Sequence, residues 1–311
     1  MLEERMLRDT YCDLLIEHAK ENKNIVLLDA DLSKAGGLKR FMAAFPDRFI
    51  NVGVAEANMI GIAAGLSAMG WIPFTHTFTP FATRRVCDQV TLSVAYAGLN
   101  VKMAGSDPGI AAELNGGTHM SLEDVAIMRN IPGMVIFEPV DSAQLKSVFP
   151  QILNYDGGCY IRLFRKNAVK VYEDGTEFTL GKGHVIKSGK DVTIIATGIM
   201  VSESVKAADE LEKLGVSAEL INIHTIKPLD TDLILNSAKK TGAVVAAENH
   251  SVVNGLGSAV AEFLSENFPV PVKRIGVRDR FGEVGKTDYL KTIMNMRAED
   301  IVQAAQSVIK R

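Results

Sequence analysis

Short apolar runs alternate with stretches of helical periodicity along nearly the whole chain. In the first half, the runs Ile25–Asp29, Phe49–Val52, Ile72–Thr75, Val101–Ala104, Val135–Glu138 and Tyr160–Leu163 predict strands. Helices are predicted between them, near residues 4–21, 57–69, 80–97, 121–129 and 141–153. Continuous apolar strands separated by helices predict a parallel sheet covered on both faces. Residues 165–190 break the rhythm with polar residues and Gly175, Gly181, Gly183 and Gly189, and read as a connection with some strand character. A second series follows, with strands at Val192–Thr197, Ala218–Ile223, Ala243–Ala247 and Val272–Gly276 and helices near 201–214, 230–240, 256–267 and 298–309. The first of those helices sets Val205, Ala208, Leu211 and Leu214 on one face. The pattern predicts an α/β protein of two doubly wound domains, 1–180 and 181–311, with no tandem short repeat.

Composition narrows the function classes. With 311 residues, 47% of them hydrophobic, each domain has enough apolar material for its own core. A net charge of −3, with the charges interspersed, argues against nucleic-acid or membrane-surface binding as the main task. Cys12, Cys87 and Cys159 have neither metal-ligand spacing nor a disulfide framework, which suits a reducing compartment. The acidic first residues lack the apolar core of a signal peptide, and no run reaches membrane-spanning length. A cytoplasmic protein is expected.

The most informative residue is Glu56, alone in the apolar, small-residue run Asn51–Gly70, with no cation within four positions. One reading is a helix-start acid facing solvent or the helix dipole. The other is a dehydrated carboxyl whose neutral form is favoured, with a raised pKa. Gly61 and Gly65, one turn apart on the following helix, are explained by tight packing on a sheet, a helix or another subunit. After the next strand, Phe78 and Phe81 are three apart, so a turn can direct both rings the same way. They sit at a strand's carboxyl end, where ligands of α/β sheets collect, and can stack on a flat heteroaromatic ring.

A glycine-rich loop, Gly105–His119, occupies the next strand's carboxyl end and offers Asp107, Asn115 and His119 as polar tips. Arg8 and Arg165, each a surface charge if taken alone, would form a bidentate phosphate clamp if they converged. Serine-hydrolase elbows, Walker loops and dinucleotide fingerprints are absent, and no carboxylate pair suggests a metal cage.

Three stretches carry a family resemblance. Phe45–Leu66, with Asn51-Val-Gly-Val-Ala-Glu56 at its centre, and Gly116-Gly-Thr-His-Met-Ser-Leu-Glu-Asp124 resemble the pyrimidine-binding domain of transketolases. Glu248-Asn-His-Ser-Val-Val-Asn-Gly-Leu-Gly257 resembles the smaller C-terminal domain of the same family. The Gly-Asp-Gly…Asn motif that holds diphosphate and Mg²⁺ in full-length transketolases is absent; Asp156-Gly-Gly and Asp174-Gly lack its context. The resemblance therefore implies the C-terminal subunit of a split transketolase. Thiamine diphosphate would lie between chains, Mg²⁺ and its ligands would be on a separate N-terminal subunit, and an α2β2 assembly is expected.

Residue by residue, the resemblance makes Glu56 the acid on N1′ of the aminopyrimidine, where it favours the tautomer whose 4′-nitrogen deprotonates the thiazolium. A two-carbon ketol unit would then pass from a ketose phosphate to an aldose phosphate. Phe78 and Phe81 match pyrimidine-stacking aromatics, and Arg84 falls at a third aromatic position. His119 matches a substrate-contacting histidine, and Arg8 and Arg165 match sugar-phosphate arginines.

The departures lie in the sugar channel. Transketolases read Gly-Glu-Asp-Gly where this chain reads Glu113-Leu-Asn-Gly116, so Asn115 replaces a substrate-reading aspartate and Leu114 an acid. Asp107 replaces a histidine, and Ala35 a phosphate-binding serine. A non-standard donor such as apulose 4-phosphate is one expectation. The β subunits of 2-oxo-acid dehydrogenases and 1-deoxyxylulose-5-phosphate synthase share the domain pair and are the competing enzymatic readings. A non-catalytic regulatory partner is the reading from another class.

Overall fold

The structure, a computed structural model, describes residues 1–309. The chain packs as two units: Met1–Pro108 with Ile127–Leu180, and Gly109–Ala126 with the residues from Gly181 onward. The sequence pattern places a single division, near residue 180. The transfer of Gly109–Ala126 to the second unit does not show in it.

The first unit opens with β1 (Leu2–Met6) and α1 (Leu7–Glu21), then β2 (Ile25–Asp29), α2 (Lys39–Ala44), β3 (Phe49–Asn51), α3 (Glu56–Ala68) and β4 (Ile72–Phe78). After β4 come α4 (Thr79–Ala82), a 3₁₀ turn (Arg84–Val86), α5 (Cys87–Gln89), a π-helical run (Val90–Tyr96) and β5 (Lys102–Ser106). The chain leaves through Gly109–Ala126, re-enters along α6 (Asp124–Arg129), and adds β6 (Val135–Phe137), α7 (Ser142–Asn154), β7 (Cys159–Leu163) and β8 (Asn167–Val169). Its main sheet runs β6-β7-β5-β4-β2-β3, with every pairing parallel. All five side chains of β2 are buried, as expected of a strand covered on both faces. Each of its large apolar side chains contributes roughly 1.5–3 kcal/mol by leaving water. The order reverses between β2 and β4, and at their carboxyl ends Asp29 lies opposite His76. That reversal is where open α/β sheets form ligand crevices.

Two sequence expectations change here. The helix predicted from residue 4 starts at Leu7, because Leu2–Met6 pairs antiparallel with β8. The helix predicted over 80–97 is broken into the short pieces above. The Thr83 and Thr91 hydroxyls donate back to the carbonyls of Thr79 and Cys87, and the β-branched run Thr83, Val86, Val90, Thr91 and Val94 resists regular α-helix.

The second unit has β9 (His184–Lys187), β10 (Val192–Ala196), α8 (Met200–Lys213), β11 (Ala218–Asn222), β12 (Thr225–Lys227), α9 (Thr231–Thr241), β13 (Val244–Ser251), α10 (Leu256–Asn267), β14 (Val272–Val277), α11 (Thr287–Ile293) and α12 (Ala298–Ile309). Its sheet is ordered β14-β13-β10-β11-β9; only β9, from the predicted connection, is antiparallel. α9 shows how local sequence sets a helix. The Asp230 side chain accepts from Leu233 N–H at the start, and Gly242 at φ 69° ends it in the left-handed region.

Candidate active site

Glu56 is the first residue of α3, and only 3% of its side chain is exposed. Gly53 at φ 73° turns the chain into that helix. The acid meets the helix's positive end and is also paired with a cation: Arg85 Nη1 donates to Glu56 Oε2 at 2.8 Å. The counter-charge that the neighbouring sequence lacks thus comes from 29 residues along the chain. The Arg85 guanidinium also lies 3.9 Å from the centre of the Phe81 ring.

Phe78, the last residue of β4, and Phe81, inside α4, have ring centres 6.4 Å apart and are tilted by 53°. Pro80 in the first turn of α4 fixes the bend that brings the rings together. Phe78 has its own cation: the Arg165 guanidinium lies 5.0 Å from its centre. Arg165 Nε in turn bonds Asp107 Oδ2. The first unit thus holds two parallel sets of ring, guanidinium and carboxylate: Phe81–Arg85–Glu56 and Phe78–Arg165–Asp107.

Asp107 is buried at φ 54°, and its Oδ1 has no hydrogen-bond partner. Burial pushes its carboxyl above the usual range, against the pull of Arg165 and Lys166. Arg8 Nη1 donates to the Ala35 carbonyl at 2.7 Å, and Arg8 Nε is buried and unpartnered. Behind that loop, His76 Nδ1 lies 3.4 Å from Asp29 Oδ1, and Asp29 Oδ2 accepts from Leu32 N–H at 2.7 Å. A Cβ on Gly36 would lie 2.3 Å from the His76 ring, so only glycine lets the loop seat against it. Arg84, at the predicted third aromatic position, is exposed; the guanidinium on Glu56 and Phe81 belongs to its neighbour.

Asn115 and His119 lie in the second unit. Asn115 is exposed; His119 is half-buried, with Nδ1 3.0 Å from the Thr118 hydroxyl oxygen. The end of β13 holds this segment. Asn249 Oδ1 accepts from Ile110 N–H, Ser251 N–H donates to the Leu122 carbonyl, and Ala126 N–H donates to His250 Nε2. Glu248 caps α10 by accepting from the N–H groups of Leu256 and Gly257. The Glu248–Gly257 signature is accounted for by this packing.

The sequence models of two domains match the chain: the transketolase pyrimidine binding domain over residues 3–170 and the transketolase C-terminal domain over residues 181–301. The chain belongs to the transketolase family. It is 65% identical over 310 residues to the 6-deoxy-6-sulfo-D-fructose transketolase subunit SqwH of Clostridium sp. (strain MSTE9), covering 100% of this chain and 96% of that one. It is 35% identical to a subunit of the apulose-4-phosphate transketolase of Phocaeicola vulgatus, covering 98% and 97%. A solved split-gene transketolase, described as an inactive β4 tetramer, superposes with a TM-score of 0.92 at 43% identity, covering 98% and 99%.

The chain is thus a transketolase-type subunit of a split transketolase, and the family implies thiamine diphosphate. The residues present fit the pyrimidine end of that cofactor: two tilted rings for stacking and a buried carboxyl at a helix start. Among the described residues no group of three or more His, Cys, Asp and Glu side chains could hold a metal ion, and no helix is long and apolar enough to cross a membrane. Sequence reading missed Arg85, His76 and Asp29. The adjacent arginines at 84 and 85 were the available signal, and the broken helix brings Arg85 to Glu56.

Proposed function

We propose that this subunit supplies the pyrimidine-binding and sugar-binding half of a two-carbon ketol transfer, with a separate N-terminal subunit supplying the diphosphate and Mg²⁺ half. The bound thiamine diphosphate supplies the carbanion chemistry of the transfer. Glu56 holds a proton at the aminopyrimidine, Phe78 and Phe81 stack on it, and Arg8, Arg165, Asn115 and His119 read the sugar. Arg84 stays a candidate cofactor contact, and two copies of each subunit are expected.

The donor is a ketose ending in a singly charged anion, a 6-deoxy-6-sulfo ketose as in the name of the 65% identical relative. Asp107 on Arg165 carries this reading: the pair leaves a carboxylate beside the arginine that would meet the donor's anion. Ala35 also offers no hydroxyl to that anion. A phosphate monoester brings about 1.5–2 negative charges at neutral pH, a sulfonate only one, so the Asp107 carboxylate opposes phosphate more.

A second reading, a ketose phosphate such as apulose 4-phosphate, draws on the name of the 35% identical relative. Specificity constants of the assembled enzyme for the two donors and for xylulose 5-phosphate decide between them. The sulfonated donor should lead, and Asp107→Asn should shift preference toward phosphates. A wild-type preference for a phosphate rejects the sulfonate reading.

A further inference from the structure

The loop carrying Asn115 and His119 contains a residue in a backbone conformation that suits it poorly. Glu113 has φ 49° and ψ −116°. It occupies the position where transketolases carry the first glycine of Gly-Glu-Asp-Gly, and a residue with a Cβ persists there only when its surroundings hold it. The hold is visible. Thr287, the first residue of α11, donates both its N–H (3.0 Å) and its hydroxyl to Glu113 Oε1. The adjoining segment is seated just as closely, since a Cβ on Gly117 would lie 2.7 Å from the Gly282 carbonyl oxygen. Leu114 and Asn115, directly beyond the clamp, are exposed.

We propose that Glu113 and Thr287 are positioning residues that set the sugar-reading tip, so that α11 of the C-terminal region takes part in donor selection. The inference rests on the proposed function for its substrate. The clamp itself is read from geometry within one unit. A glutamate in place of glycine trades a freely turning hinge for one latched to α11, and the latch fixes how far Asn115 stands from the sugar.

The test uses the assembled two-subunit enzyme with thiamine diphosphate and Mg²⁺, and four variants. Glu113→Gly tolerates the backbone and therefore folds; Thr287→Val removes the hydroxyl; Thr287→Ser and Glu113→Gln are the conservative rescues. Glu113→Gly and Thr287→Val should each raise the donor KM about tenfold, with cofactor saturation unchanged and with altered selectivity between sulfonated and phosphorylated donors. Amide hydrogen exchange over residues 113–119 of this chain should quicken in both, and Thr287→Ser should restore both readouts.

Faster exchange with an unchanged donor KM would overturn the role in donor selection, leaving a structural latch. Unchanged exchange would overturn the clamp. An assembled wild-type enzyme that transfers no ketol unit refutes the functional reading and, with it, the role in donor selection, while the exchange arm still decides the latch.

Discussion

Glu56 shows what a residue's neighbourhood along the chain can and cannot tell. Its isolation was legible, because dehydration follows from the small apolar residues around it. Its partner was not, because Arg85 arrives across a broken helix. If the pair is the counter-charge for a buried acid, Arg85→Met should destabilise the chain by about 1 kcal/mol, a modest value because the Arg85 side chain is 43% exposed. Glu56→Gln should cost less in the Arg85→Met background than alone, which a double-mutant cycle of thermal unfolding would read. His224 gives a pH prediction of definite sign. Burial, with His184 nearby, holds its imidazole down to about 4, against an ordinary value near 6.5. Between those values the unfolded chain binds the extra proton, so stability is present above 6.5 and is lost as pH falls towards 4. The full loss is on the order of 3 kcal/mol, and a His224→Gln variant should show a flatter acid limb in unfolding measurements from pH 4 to 7.

Among the elements, strands were read best. Buried parallel strands declare themselves as apolar runs, and β2 matches its prediction residue for residue. Helix ends and breaks were read worst, because they depend on partners such as β8 or on side-chain bonds back to the helix. α3 has the clearest consequence. A Cβ added to Gly61 or Gly65 would meet nothing within 4 Å, so packing inside the described residues does not explain these glycines. Their face is open, leaving the subunit-interface version of the packing argument. Gly61→Ala should therefore stabilise the isolated chain by roughly 0.5–1 kcal/mol. Gly61→Leu should leave its folding intact yet block assembly, seen as a loss of the larger species in light scattering. A Leu variant that assembles normally removes α3 from the interface.

For the whole molecule, the rings and the acid proposed to face the pyrimidine stand on this chain, and the expected diphosphate motif is missing from its sequence. The chain alone should show no two-carbon transfer with thiamine diphosphate and Mg²⁺, and adding the companion subunit should restore it. Activity from the chain by itself would refute the split arrangement. The amino-acid sequence by itself determined the α/β class and the family. Each of these is written in periodicity or in contiguous motifs, which survive being read in one dimension. Only the tertiary structure decided that residues 109–126 pack with the second unit, that Arg85 meets Glu56, that Asp107 is engaged by Arg165, and that Glu113 is latched by Thr287. The reason is common to all four. Each depends on hydrogen bonds or charges between residues far apart in the chain, and side-chain pairing at long range leaves no periodic trace.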